Sequence, residues 1–439
     1  MRDAQLMTDA AHRRDWVGSV LDHSGRVATV AVATAWAVVL ASMARHRIYV
    51  SHDTLISYAH VWYVSERLWH GHGLPLHMSV LSSGHALAFP YGLVPWMTAA
   101  LLRPLAGDWI VTLWLIVGTV GLIAATFWAF PELRRGWWAA GVMLNPALVS
   151  SPVIGQLPFV WAGAMLVVAI GAWRRGKRAL AVVAAILAQV THPAIVFPLS
   201  VAVVLARLRW EPDRRGLLRS YALTLPFVGA ALAMTFASPV FRDIPLSTQL
   251  STFIGTIAPR CLVVVVPVTL LLVRKARRRG AEIGMAALLI AANIGMGPSL
   301  GMPWAWGALK RTPDRRMEQF TSSPAFVPGA VYRVLRIADG KVAMYQTLRA
   351  GGRLDSEFFP ESIARRSWPD TASYSRFLRG RHVDFVMIWR GYDRRYTTDE
   401  HALLERMADG SECNPQVVEV RLHQRTADYD LYRVRRSCS

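Results

Sequence analysis

The run VATVAVATAWAVVLASM, Val27–Met43, followed at once by ARHRIYVSHDT over residues 44–54, decides how this chain is read. The run carries no charge, and a helix of that length nearly crosses the roughly 30 Å of hydrocarbon in a bilayer, which takes about 20 residues. Its end has no small-residue cleavage signal, so it reads as an uncleaved first span behind a polar tail, residues 1–26. Just beyond it a carboxylate stands beside an imidazole, in Ser51-His52-Asp53-Thr54, at the edge of an apolar segment.

Further apolar segments lie near 86–102, 109–130, 137–153, 157–173, 179–191, 194–206, 218–237, 259–273 and 281–299. The 439-residue chain is 53% hydrophobic. The class is therefore a polytopic α-helical membrane protein with about nine to eleven transmembrane helices. Thr191-His192-Pro193 breaks one apolar stretch, giving either one kinked helix or two that meet at a turn.

The formal charge is +20, nearly all from arginine, since the only lysines are Lys177, Lys275, Lys310 and Lys341. The arginines cluster between apolar runs, at 174–178, 207–219 and 274–280, which is the bias of cytoplasmic loops and not a nucleic-acid footprint. That bias puts Gln156, His192, the 238–258 loop and everything past 300 outside, and with the tail 1–26 in the cytoplasm Asp53 is outside as well. Alternation then fails by one crossing, and 86–104, with Pro90 and Pro95, is the segment expected to be re-entrant or interfacial. Arginine and alanine usage points to a bacterial plasma membrane as the location.

Long apolar runs stop near residue 308, closing a membrane core at 27–308 with an external loop at 45–85. Residues 309–439 show short β-like runs at 331–335, 383–389, 417–422 and 429–434, with a helix opening near Thr398, and read as an extracytoplasmic α/β domain. Cys261 falls in an apolar segment, while Cys413 and Cys438 are able to pair in an oxidising compartment.

Several residues carry candidate chemistry. Asp53 is placed to act as a general base on an acceptor hydroxyl, or to cap the helix that starts at Thr54. His52, His60, His70, His72, His77 and His85 crowd the same loop, where a divalent metal (Mg or Mn) is thinkable, but no metal-ligand spacing is present. Tyr58, Trp62, Tyr63 and Trp69 have near-helical spacing, with 58, 62 and 69 on one broad face, as in an interfacial helix or a platform for a sugar ring. Gln156 is an amide at the end of a span, His192 falls at the same face, and Arg242 and Arg260 are external arginines suited to a phosphate. Walker-A, GxGxxG and GxSxG patterns are all missing.

The stretch resembles the GT-C superfamily of integral-membrane glycosyltransferases. The likeness rests on Asp53 after the first span, Tyr58, the Leu68–Pro75 turn and Phe89-Pro90-Tyr91-Gly92-Leu93-Val94-Pro95. Gly155-Gln156 before a span and His192-Pro193 after one add to it. Here Asp53 stands beside His52, not beside a second acid, and Glu66 is the other carboxylate of the loop. The resemblance implies a polyprenyl-phosphate sugar donor, mannose or arabinose, a glycan or glycolipid acceptor, and inversion with Asp53 as base. It implies donor contacts from His52, Tyr58, His85, Tyr91, Gln156, His192, Arg242 and Arg260. A lipid-linked sugar transporter or a non-catalytic envelope scaffold would share the same architecture.

Overall fold

The structure is a computed structural model, and it describes residues 2–51, 53–84, 86–134, 136–237, 307, 309, 315–335, 340–355, 368–390, 399–409 and 418–435. Its helices are α1 (Arg2–Ala44), α2 (Thr54–Trp69), α3 (Leu93–Ala106), α4 (Trp109–Ala129), α5 (Gly136–Met143), α6 (Pro146–Ile154), α7 (Leu157–Arg174), α8 (Arg178–Thr191), α9 (Pro193–Leu208), α10 (Arg214–Ala222) and α11 (Leu225–Ala237). The C-terminal part adds α12 (Arg315–Thr321), α13 (Gly340–Arg349), α14 (Thr371–Gly380) and α15 (Glu400–Asp409). Among the described residues four helical segments are long and apolar enough to cross a membrane: Asp22–Ala44, Trp109–Ala129, Leu157–Arg174 and Arg214–Ala237.

The rods run between two faces. One face holds the arginine-rich turns, where Arg174 reaches Glu132 at 2.9 Å and Arg178 pairs with Asp213. The other gathers the end of α1, the starts of α4 and α7 and the turn between α8 and α9. α4 and α7 lie side by side because glycines admit large rings: a Cβ on Gly118 would sit 2.6 Å from the Trp161 ring, and one on Gly171 2.5 Å from that of Trp128. Pro193 opens α9, and the extended backbone at His192 (φ −144°, ψ 70°) separates it from α8. α9 then returns, since Trp173 at the end of α7 donates to Glu211 at 3.1 Å. The stretch is thus two helices meeting at a turn.

The 86–104 segment holds one short helix, α3. α3 starts where Gly92 N donates to Thr191 O at 2.8 Å and ends two residues before Asp108, whose carboxylate pairs with Arg349 of the C-terminal part. Both ends therefore lie on the face away from the arginine-rich turns. α2 runs alongside it, with Trp96 Nε1 on Ser57 Oγ at 3.0 Å at one end and Arg103 on Glu66 at 2.7 Å at the other. A two-residue ladder, β1 (His77–Met78) with β2 (Ala86–Leu87), closes the loop between them.

The C-terminal part is a five-stranded sheet in the order β4-β3-β5-β7-β6, built from β3 (Val331–Leu335), β4 (Arg353–Leu354), β5 (Phe385–Trp389), β6 (Glu419–Arg425) and β7 (Tyr429–Arg435). β3, β4 and β5 are parallel, and β7 and β6 add on antiparallel. The strands fall on the runs rich in Val, Ile, Tyr and Trp; β4, two residues long, gave no sequence signal. The sheet docks on the α2–α4 region. Leu354 N, on edge strand β4, donates to Val80 O at 2.8 Å, and Arg353 Nε reaches Ser79 O at 3.3 Å, so the loop covers that edge. One hydrophobic cluster runs through both parts, from Tyr58, Trp96 and Leu115 to Tyr345, Tyr332 and Trp389.

Candidate functional site

The segment 49–53 is fixed by the last turn of α6, whose carbonyls have no partner within their own helix. Tyr49 Oη donates to Val153 O at 2.8 Å, Ser51 Oγ to the same oxygen at 2.7 Å, and Asp53 N to Ile154 O at 3.0 Å. The next residue completes the lock. Gly155 has φ +88°, and a Cβ there would lie 2.4 Å from Thr54 Cγ2 and 2.8 Å from Thr54 N, so the turn between α6 and α7 presses on the start of α2. Thr54 Oγ1 in turn donates to Tyr49 O at 2.6 Å.

Asp53 is the N-cap residue of α2, but its backbone is helical (φ −108°, ψ −11°) and its side chain makes no capping bond. Gln156 Nε2 donates to Asp53 Oδ2 at 3.2 Å instead, across 103 residues of sequence. Gln156 is itself the N-cap of α7. An amide on a half-buried carboxylate fixes its orientation, and such charge-assisted bonds are worth about 1.5–3 kcal/mol.

Around this pair stand the starts of two more helices. Gly92 (φ +75°) caps α3, and His192 caps α9. Tyr91 and His192 meet edge to face at 4.9 Å, and Phe159, in the first turn of α7, meets His192 at 5.9 Å. The N-termini of α2, α3, α7 and α9 are therefore brought together, each a region of positive potential. Of the sequence-picked residues, the structure unites Asp53, Gln156, Tyr91 and His192. Phe159 was missed, and its only signal was its position one turn beyond Gln156.

Tyr58 does not join them. It is buried, its hydroxyl lies 2.7 Å from Thr112 Oγ1 and accepts Tyr49 N at 2.9 Å, and its ring lies 5.7 Å from that of Tyr345 on α13. Burial drives its pKa up. The expected aromatic platform is not an open surface: Tyr58 and Tyr63 are enclosed and Trp69 is exposed. His60 is also enclosed, stacked on Trp96 at 4.0 Å with Nδ1 2.8 Å from Ile56 O, and burial lowers its pKa to about 4. His72 and His77 are exposed, and His70 lies against Glu66. Among the described residues no three His, Cys, Asp or Glu side chains gather as ligands of one metal ion. His52, His85, Arg242, Arg260, Cys261, Cys413, Cys438, Glu357, Glu361, the 238–258 loop, the basic 274–280 stretch and the apolar segments 259–273 and 281–299 lie outside the described residues.

Two buried carboxylate clusters escaped sequence reasoning. Asp108, 3% exposed, faces Arg103 Nε at 3.4 Å and pairs with Arg349 of α13, joining the helical body to the C-terminal part. Within that part Arg333 holds Glu400 (Nε–Oε2 2.6 Å) and Asp355 (2.7 Å), and Tyr374 donates to Glu400 at 2.8 Å. Asp384 accepts Val331 N at 2.8 Å and ties β3 to the entry of β5. The chain matches no known family model, no curated protein and no solved structure.

Proposed function

We propose that the chain is a multi-pass glycosyltransferase of the bacterial plasma membrane, GT-C-like with about nine to eleven crossings. It transfers mannose or arabinose from a polyprenyl-phosphate donor to a glycan or glycolipid of the cell envelope. The C-terminal α/β part lies on the extracytoplasmic side with Asp53. The observation that carries this reading is the Gln156 amide on the Asp53 carboxylate, set where four helix N-termini gather.

In the reaction, Asp53 takes the proton of the acceptor hydroxyl as that oxygen bonds to the anomeric carbon. The bond from that carbon to the donor phosphate oxygen breaks on the opposite face, so configuration inverts and polyprenyl phosphate departs with both electrons. The departing group gains negative charge, which helix N-termini are suited to stabilise. Gln156 positions the base, and Tyr91, His192 and Phe159 supply a wall with ring faces for a sugar. His52, His85, Arg242 and Arg260 are the further phosphate partners in this proposal.

Mass spectrometry of envelope glycans tests the reading. A strain lacking the chain loses one sugar residue, the wild-type gene restores it, and a gene carrying Asp53→Asn does not. Unchanged glycans in the strain without the chain would refute it.

A further inference from the structure

At the opposite end of the helical body, the α7–α8 turn and the α9–α10 turn lie together. Arg178 pairs with Asp213, Arg207 holds Glu211 at 2.7 Å, and Arg174 holds Glu132 at 2.9 Å. Those pairs occupy both carboxylates of the α9–α10 turn, Glu211 and Asp213, and the α7–α8 turn has none. Arg175, Lys177, Arg209, Arg214 and Arg215 are exposed with no ion-pair partner among the described residues, and the exposed Arg219 feels only the charge of Asp213, which Arg178 already holds.

The cations are not scattered over a polar surface. Arg175 lies over the Trp128 ring at 4.2 Å, Arg178 over Trp173 at 5.5 Å, and Arg209 beside the exposed Trp210 at 5.9 Å. Leu180, Leu205, Leu218 and Leu223 are exposed next to them. Guanidinium groups on indole rings, bordered by bare leucines, match the depth profile of a bilayer surface, with phosphates above and acyl chains below. A nucleic acid would cover the cations and leave those leucines in water.

We infer that these two turns form a binding site for the headgroups of anionic glycerophospholipids. Guanidinium groups without a carboxylate partner donate in pairs to the phosphate oxygens, and the leucines meet the acyl chains. The inference rests on the membrane reading above but not on the chemistry of Asp53. The full chain, inserted into nanodiscs of phosphatidylcholine with one third phosphatidylglycerol, is released into mild detergent, and its retained lipids are counted by native mass spectrometry. The wild type keeps phosphatidylglycerol in preference to phosphatidylcholine. Replacing Arg214, Arg215 and Arg219 together by Gln lowers that retention by roughly fivefold per charge. Replacing the same three by Lys keeps most of it, which separates lost charge from a damaged fold. Equal retention of both lipids by the wild type would overturn the site. So would undiminished retention in the Gln variant, an equal loss in the Lys variant, or displacement of the lipid by single-stranded RNA at matched concentration.

Discussion

Gly155→Ala is the substitution whose cost follows most directly from the geometry. The residue sits at φ +88°, where a side chain costs about 1–2 kcal/mol of backbone strain. The new Cβ would lie 2.4 Å from Thr54 Cγ2, 2.8 Å from Thr54 N and 3.1 Å from Thr54 Cβ, an overpacking worth about 1–3 kcal/mol more. The total is about 2–5 kcal/mol, and relief requires the α6–α7 turn to move away from α2, which parts Gln156 from Asp53. Thr54→Ser dissects the sum, since it deletes the nearest clashing atom and keeps the hydroxyl that bonds Tyr49 O. On its own it should cost about 0.5–1.5 kcal/mol, as for other buried methyl deletions. In the Gly155→Ala background it should be neutral or stabilising, leaving the backbone strain and the contact with Thr54 N. Denaturant unfolding in detergent micelles, followed by tryptophan fluorescence, measures the cycle. Additivity of the two substitutions within about 0.5 kcal/mol would refute the claimed contact.

Two other predictions concern the packed α2–α4 region. His60 has a folded-state pKa of about 4 against an ordinary 6.5, so the neutral ring is favoured by the fold. Its stabilising contribution is complete above pH 6.5 and falls as pH drops from 6.5 towards 4, by up to about 3 kcal/mol. His60→Gln should flatten that part of the stability–pH curve, and an unchanged slope would count against the burial of His60. Asp108→Ala should loosen α13 from the helical body at a cost of about 3–5 kcal/mol, the range for breaking a buried ion pair. Arg349→Ala should cost only about 1 kcal/mol, because Arg349 is 42% exposed and Arg103 remains. Hydrogen exchange in 340–349 reads both, and equal protection in all three proteins would contradict the latch.

Features that depend on neighbours along the chain were legible in the sequence. Asp53 and Gln156 stood out because each is a polar group at the end of an apolar run, where burial without a partner is costly. The turn at His192-Pro193 and the strands at 331–335 and 429–434 came from local rules of the same kind. α3 was ambiguous because its apolar residues meet α2, α4, α7 and α8, and hydropathy cannot distinguish a helix neighbour from lipid. The burial of Tyr58 was not legible because spacing gives its face but not its cover, and its cover is Tyr345, far along the chain. Asp108 went unnoticed for the same reason: its partner Arg349 is 241 residues away.

The proposed reaction depends most directly on the carboxylate of Asp53. Membranes containing equal amounts of the wild-type chain or of Asp53→Asn are supplied with polyprenyl-phosphate mannose or arabinose labelled in the sugar, and new glycosidic bonds in the envelope fraction are counted. The wild type is expected to move label into glycan while Asp53→Asn, inserted and folded to the same extent, moves none. Equal transfer by both would contradict the assignment of Asp53 as the base.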